Sequence, residues 1–403
     1  MNEQEIMNVE NTVMATVYAR RPLVITKGRG ALVWDINGKE YIDCTGSYGV
    51  CVVGHSHPKV VEAIRRQAET LISCHASFYN DTRAKLLEKL GEIAPKGLSR
   101  VLLSNSGAES VEAAIKLARR FSGKPGIIAS MGAFHGKTFG ALSATWERKY
   151  RDPFGPLVPE FKHVPPDNIE KVRGAISEKT AAIIVEPIRG EGGIRMPKNG
   201  FLQGLREICD EKGVLLIFDE VQTGFGRTGK IFACEHWNVT PDIICLAKSV
   251  AGGLPLGITM AREDVMSSLK VGEHTSTFAG NPLVCAAACA AIDIVVEEKL
   301  PERAAELGGY FRERLEGIQA RHKIVRETRG LGLMLGVELR FDILNILMKS
   351  LSKGALILDA GRNVLRFLPP LVIEKEHIDK VIAILDPILD EEEHERLRGS
   401  SPS

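Results

Sequence analysis

The chain carries almost no net charge, with 52 basic residues against 51 acidic ones and a formal charge of +1. There is no field to draw nucleic acid or an acidic membrane surface, which argues against both as partners. The eight cysteines form no C-x-x-C pair. Most therefore read as small core residues, and reduced thiols suit a cytosolic compartment. Cys285 and Cys289 are one helical turn apart, but no histidine stands near them to complete a metal site. His55 and His57 lack an H-E-x-x-H partner and read as loop or capping residues. No metal centre is expected. Long apolar runs are also missing: the longest, Leu283 to Ile292, is about half of what a bilayer span needs. The first ten residues mix charges and contain no apolar core of the signal-peptide kind. A cytoplasmic protein is expected. No internal repeat or low-complexity linker interrupts the chain.

What is present is an ordinary globular composition, 44% apolar and 26% charged over 403 residues, enough for two or three domains. Residues 1–47 read as an N-terminal arm and small-domain segment. In it Asn37-Gly38 predicts a tight hairpin turn between strands at 31–34 and 40–43. Pro58, followed by Val60, Val61, Ile64 and Ala68, predicts a helix. Short apolar runs at 101–103, 126–129, 181–185, 214–218, 243–247 and 257–261 alternate with helical patterns at 109–121 and 201–212. That alternation predicts an α/β fold, a mainly parallel sheet flanked by helices, in a large domain spanning 48–285. Asn281-Pro282 opens a long helix leading into a smaller α+β domain, 286–403, with helices at 301–315 and 343–353 and strands at 333–339 and 364–367. The tail from 391 to 403 reads as frayed.

The chemistry centres on two strand ends. Leu215-Leu216-Ile217-Phe218 runs into Asp219-Glu220, and Ile243-Ile244-Cys245-Leu246-Ala247 runs into Lys248. Apolar strands that end in charge deliver it to the sheet edge where open α/β folds place their sites. Gly224-Phe225-Gly226-Arg227-Thr228-Gly229 fits G-x-G-x-x-G, but it does not join a strand to an amphipathic helix. The P-loop reading fails because Ile231 replaces the Ser/Thr that would hold Mg²⁺. A better anion cradle is Ser104-Asn105-Ser106-Gly107-Ala108-Glu109, at the start of a helix. Phosphate cradle, ring-cation carboxylate and amine together match the handles of pyridoxal 5′-phosphate. Asp219 would keep the pyridine nitrogen protonated, and Lys248 would hold the aldehyde and shuttle a proton. A buried Asp–Lys ion pair is the structural alternative.

At these residues the chain resembles the class III (ω-amino) aminotransferases that use pyridoxal phosphate, over most of its length. The motifs are Asn105-Ser106-Gly107-Ala108-Glu109, Phe134-His135-Gly136, Glu186-Pro187-Ile188-Arg189-Gly190-Glu191-Gly192-Gly193, Phe218-Asp219-Glu220-Val221-Gln222-Thr223-Gly224, Lys248, and Thr277-Phe278-Ala279-Gly280-Asn281-Pro282. The resemblance implies fold type I and a homodimer with shared active sites. It implies that Ser106, Gly107 and Ala108 bind the phosphate, Phe134 and Val221 cover the two ring faces, and Gln222 bonds the ring hydroxyl. His135 and Glu186 are further cofactor contacts, and Thr277 reaches the phosphate of a second subunit.

The resemblance also bears on substrate. Arg366 matches the arginine that holds the α-carboxylate of glutamate or 2-oxoglutarate, and Glu191 the glutamate that masks it when an ω-amine enters. Tyr18 and Tyr48 match two substrate-contacting tyrosines of ornithine aminotransferases. Lys137 stands where the family has an arginine for the distal carboxylate of ornithine or N-acetylornithine, and keeps the charge without the fork. Phe134-His135-Gly136-Lys137 is also similar to putrescine aminotransferases. The ornithine-type donor, with 2-oxoglutarate as acceptor, is the leading expectation. A diamine or broad ω-amine transaminase is the alternative, followed by a racemase or decarboxylase on the same cofactor and a non-catalytic binding protein.

Overall fold

The computed structural model describes residues 1–398. Three strands, β1 (Ile25–Arg29), β2 (Leu32–Asp35) and β3 (Glu40–Asp43), form an antiparallel meander near the N-terminus. The β2–β3 turn is the expected Asn-Gly turn: Gly38 has φ +82°, and Asp35 Oδ1 accepts the Asn37 and Lys39 amides at 2.9 Å each. Helix Pro58–Thr70 then starts where His57 accepts the Lys59 amide at 3.3 Å. His55 instead pairs with Asp43 at 2.7 Å.

The central sheet contains β4 (Arg100–Ser104), β5 (Gly126–Ser130), β6 (Phe161–Val164), β7 (Thr180–Val185), β8 (Leu215–Asp219), β9 (Ile243–Leu246) and β10 (Gly257–Ala261), in the order β4-β10-β9-β8-β7-β5-β6. Strands β6, β5, β7, β8 and β9 pair in parallel; β10 runs antiparallel to both β9 and β4. Every residue of β7 to β10 is buried, which is why these strands read as unbroken apolar runs. Alternate residues feed the two faces. Ile217 and Cys245 join the core under helix Gly107–Ser122, whereas Phe218 and Leu246 join the one under helix Phe201–Lys212. The latter helix ends at Gly213 in the left-handed region, φ +60°.

The last third of the chain begins with helix Pro282–Glu297, capped by Asn281, and helix Leu300–Arg321. Strands β11 (Val325–Leu331), β12 (Met334–Leu339), β14 (Leu358–Ala360) and β15 (Val364–Phe367) make an antiparallel sheet in the order β11-β12-β15-β14. Strand β13 (Ala355–Leu356) leaves this sheet and pairs in parallel with β3, Ala355 opposite Ile42. One apolar cluster, including Ile42, Val52, Phe311, Leu335, Phe367 and Ile378, therefore joins both ends of the chain. The G-x-G-x-x-G stretch is packing material against this part: Arg227, fully buried, donates to the Leu333 carbonyl at 3.0 Å and the Pro369 carbonyl at 2.5 Å.

Two sequence expectations change. Helix Lys375–Arg398 runs through the stretch expected to fray, because Glu392 is buried and engages Asn345 and Lys349; the remainder of that tail, 399–403, lies outside the described residues. The strands β6 and β11 were not anticipated from the pattern. Among the described residues, no helix is long and apolar enough to cross a membrane.

Helix Leu300–Arg321 carries a paired test of this packing. A Cβ on Gly308 would overlap the backbone of Gly332, whereas one on Gly309 meets nothing. Gly308→Ala is expected to cost about 1–3 kcal/mol through overpacking. Gly309→Ala is expected to add about 0.5–1 kcal/mol from helix propensity. Denaturant midpoints of the two variants check both signs.

Candidate active site

Parallel pairing of β8 with β9 sets Asp219 opposite Cys245, so Asp219 and Lys248 emerge at the same sheet edge. Lys248 sits at the turn that ends the second strand, at φ +49°, a left-handed conformation that costs energy for any residue but glycine. A cavity of about 420 Å³ opens there, in the size range of small-molecule sites. Asp219, Val221 and Gln222 line it from the end of β8; Ser106, Gly107 and Ala108 from the helix start after β4. Phe134 and His135 line it from the segment after β5, Glu186 and Glu191 from the one after β7, and Lys248 completes the wall.

Local sequence explains each position. Ser106 caps helix Gly107–Ser122 by accepting the Glu109 amide at 3.2 Å, leaving the first-turn amides of Gly107 and Ala108 without intrahelical acceptors. Glycine at 107 lets the helix start pack against Val221, since a Cβ there would lie 2.8 Å from Val221 Cγ1 and push that side chain aside. His135 is buried with Nδ1 2.7 Å from Asp219 Oδ2, while Asp219 Oδ1 accepts the Val221 amide at 3.1 Å. Gln222 Oε1 is buried without a partner. Glu186 takes the Phe134 amide at 3.0 Å on one oxygen and the Gly190 amide at 2.9 Å on the other.

Electrostatics favour a reactive amine. Burial lowers the Lys248 pKa, and the nearby Arg366 lowers it further against the opposing pull of Glu191. Burial also raises the Glu186 carboxyl to about 7, despite its two backbone donors and helped by Asp219. For Glu191, burial pushes upward, but the Arg366 guanidinium outweighs it and holds the carboxyl low.

The substrate residues divide. Arg366, only 1% exposed, donates to Glu191 Oε1 at 2.5 Å and lies 5.7 Å from the centre of the Tyr48 ring. Tyr48 is itself in the left-handed region at φ +60°, as is Ser47 at +53°. Lys137 is exposed beside the cavity, its Nζ 4.8 Å from the Tyr150 ring, which meets Phe134 edge-on at 5.9 Å. Tyr18 is not brought to this cavity: it is 65% exposed and lines a separate depression with the N-terminal helix Glu3–Val13. Thr277 lies on an exposed loop, also outside the cavity. The sequence reading missed Leu254, Pro255 and Leu256, which close the cavity after the lysine. Their signal was the Gly252-Gly253 turn just before them.

These groups fit pyridoxal phosphate: unpaired amides at a helix start for a phosphate, a carboxylate for a ring cation, an unpartnered amide oxygen at Gln222, and a deprotonable lysine. They define a fold type I, pyridoxal-phosphate-dependent transferase site. Residues 13–389 match the family described as Aminotransferase class-III, and the chain belongs to that family. It is 51% identical to the acetylornithine aminotransferase of Methanopyrus kandleri over 91% of this chain and 94% of that protein. It is 44% identical to the [LysW]-aminoadipate semialdehyde transaminase of Deinococcus radiodurans over 96% of this chain and 91% of that one. Among solved structures, the ornithine aminotransferase of Toxoplasma gondii ME49 superposes with a TM-score of 0.94 at 37% identity, covering 98% of this chain and 96% of that chain.

The Glu186 carboxyl gives a pH test. Its folded pKa of about 7 is above the ordinary 4.5, so its contribution to stability is complete below about 4.5 and is lost as pH rises through 7. In cofactor-free protein, the melting temperature of wild type relative to Glu186→Gln is expected to fall as pH rises across that window. A difference that is flat with pH would contradict the assignment.

Proposed function

We propose that this enzyme moves the terminal amino group of an ornithine-type donor, N-acetylornithine foremost, to 2-oxoglutarate. The donor leaves as a semialdehyde and the acceptor leaves as glutamate. The buried Arg366–Glu191 pair beside Lys248 carries this reading, because it lets one site meet two unlike substrates. With Glu191 on Arg366 the guanidinium charge is neutralised, which suits an ω-amine; with Glu191 turned away, Arg366 can grip an α-carboxylate by a two-pronged bond. The names of the similar proteins in Methanopyrus, Deinococcus and Toxoplasma support an ornithine-like donor.

Bound in the cavity, pyridoxal phosphate supplies an aldehyde and an electron-withdrawing protonated ring. Ser106, Gly107 and Ala108 hold its phosphate with hydroxyl and amides. Asp219, aimed by His135 and the Val221 amide, would meet the ring nitrogen. Phe134 and Val221 cover the ring faces, and Gln222 meets the ring hydroxyl. Lys248, with its amine pKa lowered, holds the aldehyde and then moves a proton at Nζ. Glu186 acts by tying the Phe134 and Gly190 segments together. Lys137, next to the Tyr150 ring, offers one cation to the donor's distal carboxylate, and Tyr48 stands near Arg366. The exposed Thr277 loop, which carries the exposed apolar side chains Val271 and Phe278, suits docking of a second copy and contact with its phosphate, as a homodimer in the cytoplasm. Tyr18 reaches substrate only if that docking moves the arm.

A donor panel decides the substrate. N-acetylornithine and ornithine are expected to outrun lysine, 4-aminobutyrate and putrescine with 2-oxoglutarate, and putrescine in first place would mean a diamine enzyme. Lys137→Met is expected to raise KM for carboxylated donors about tenfold, the scale of one charged hydrogen bond, while leaving putrescine unaffected. Lys248→Ala is expected to abolish turnover yet retain phosphate-anchored cofactor.

A further inference from the structure

We propose that Arg329 is a positioning residue that keeps Glu191 in register with Arg366, and so sets the balance between amine and 2-oxo acid substrates. This rests on the Glu191–Arg366 exchange argued above.

Glu191 belongs to a tightly closed loop. Arg189 and Arg195 exchange backbone hydrogen bonds of 3.1 and 3.0 Å at its base. The amides of Gly193 and Ile194 both turn back to the Gly190 carbonyl, at 3.1 and 3.2 Å. Ile194, fully buried, is forced to φ +52°. Such a backbone persists only when its surroundings over-determine it. Arg329 supplies the restraint: Nε donates to the Gly193 and Ile194 carbonyls at 3.0 and 3.1 Å, and Nη2 to Gly193 again at 2.6 Å. Its own guanidinium is fixed by Glu338 at 2.7 Å and Glu327 at 2.6 Å.

Sheet register connects this anchor to the gate. Arg329 pairs with Gly336 across β11 and β12, and Gly336 pairs with Arg366 across β12 and β15. Directly opposed residues share a face of the sheet, so two arginines flank a glycine in one row. The notch left by Gly336 receives Ile194: a Cβ there would lie 3.1 Å from Ile194 Cβ and Cγ1. The loop is thus seated between two arginines at a spacing the strands dictate. One arginine binds its backbone and the other binds Glu191. With the loop backbone fixed in this way, the exchange between substrates falls to the Glu191 side chain, which is 29% exposed and meets Arg366.

The test measures kcat/KM separately for N-acetylornithine and for 2-oxoglutarate in wild type, Glu191→Ala, Arg329→Lys, Gly336→Ala and the Arg329→Lys/Glu191→Ala double variant. Loss of register unmasks Arg366. Arg329→Lys and Gly336→Ala are expected to lower the donor-to-acceptor ratio about tenfold, as Glu191→Ala does, and Arg329→Lys is expected to add nothing once Glu191 is gone. An unchanged ratio in Arg329→Lys, equal losses in both constants, or a further shift in the double variant would overturn the proposal. Gly336→Ala touches no charge, so its ratio alone decides if Arg329→Lys does not fold. If Glu191→Ala itself leaves the ratio unchanged, it is the exchange between Glu191 and Arg366 that fails.

Discussion

Everything in this site depends on the parallel pairing of β8 with β9. Opposing Asp219 to Cys245 brings a carboxylate and, beyond Ala247, a lysine to one edge of a sheet whose strands are buried on both faces. A buried charge is costly without partners. Asp219 has His135 and the Val221 amide as hydrogen-bond partners, while Lys248 yields to its buried surroundings by a lowered pKa. The same desolvation that threatens the fold thus supplies the chemistry. Strain gathers at the same place: Ser47, Tyr48, Ile194 and Lys248 all adopt left-handed backbone conformations around it.

The parts legible in the sequence were those with local causes. Asp219 and Lys248 could be found because an apolar run that stops at a charge has few other meanings, and Ser106 because small residues after a strand open a helix. The hairpin at Asn37-Gly38 and the cap at Asn281 were equally readable from turn and capping chemistry. The direction of β10 was not, since a buried strand is apolar whichever way it runs. Strand β6 escaped because Phe161-Lys162-His163-Val164 is a short edge with alternating burial, and β11 because its Arg, Glu and Thr residues stand on a half-exposed face.

Pairings between distant residues were hidden for a different reason. Arg366 and Glu191 meet across 175 positions, and nothing local to either says so; only the motif resemblance joined them. No site role for Arg329 was legible, because the contacts that tie it to the Glu191 loop are to the backbone carbonyls of Gly193 and Ile194, which leave no mark in a sequence. Tyr18 shows the limit of motif spacing. It matches a substrate-contacting tyrosine of the family, yet in the single chain it lines a depression beside the N-terminal helix and not the cavity of Lys248.

The pairing of β3 with β13 has a consequence for how the protein is made. Ile42 emerges from the ribosome more than three hundred residues ahead of its neighbour Ala355. Through most of translation the N-terminal meander must wait with one edge unpaired and the apolar side chains of Ile42 and Val52 uncovered. The large sheet between them can assemble in the interval. The smaller domain can close only after nearly the whole polypeptide has been synthesised, so a truncated chain would keep the elements of the catalytic sheet and lack the wall that bears Arg366.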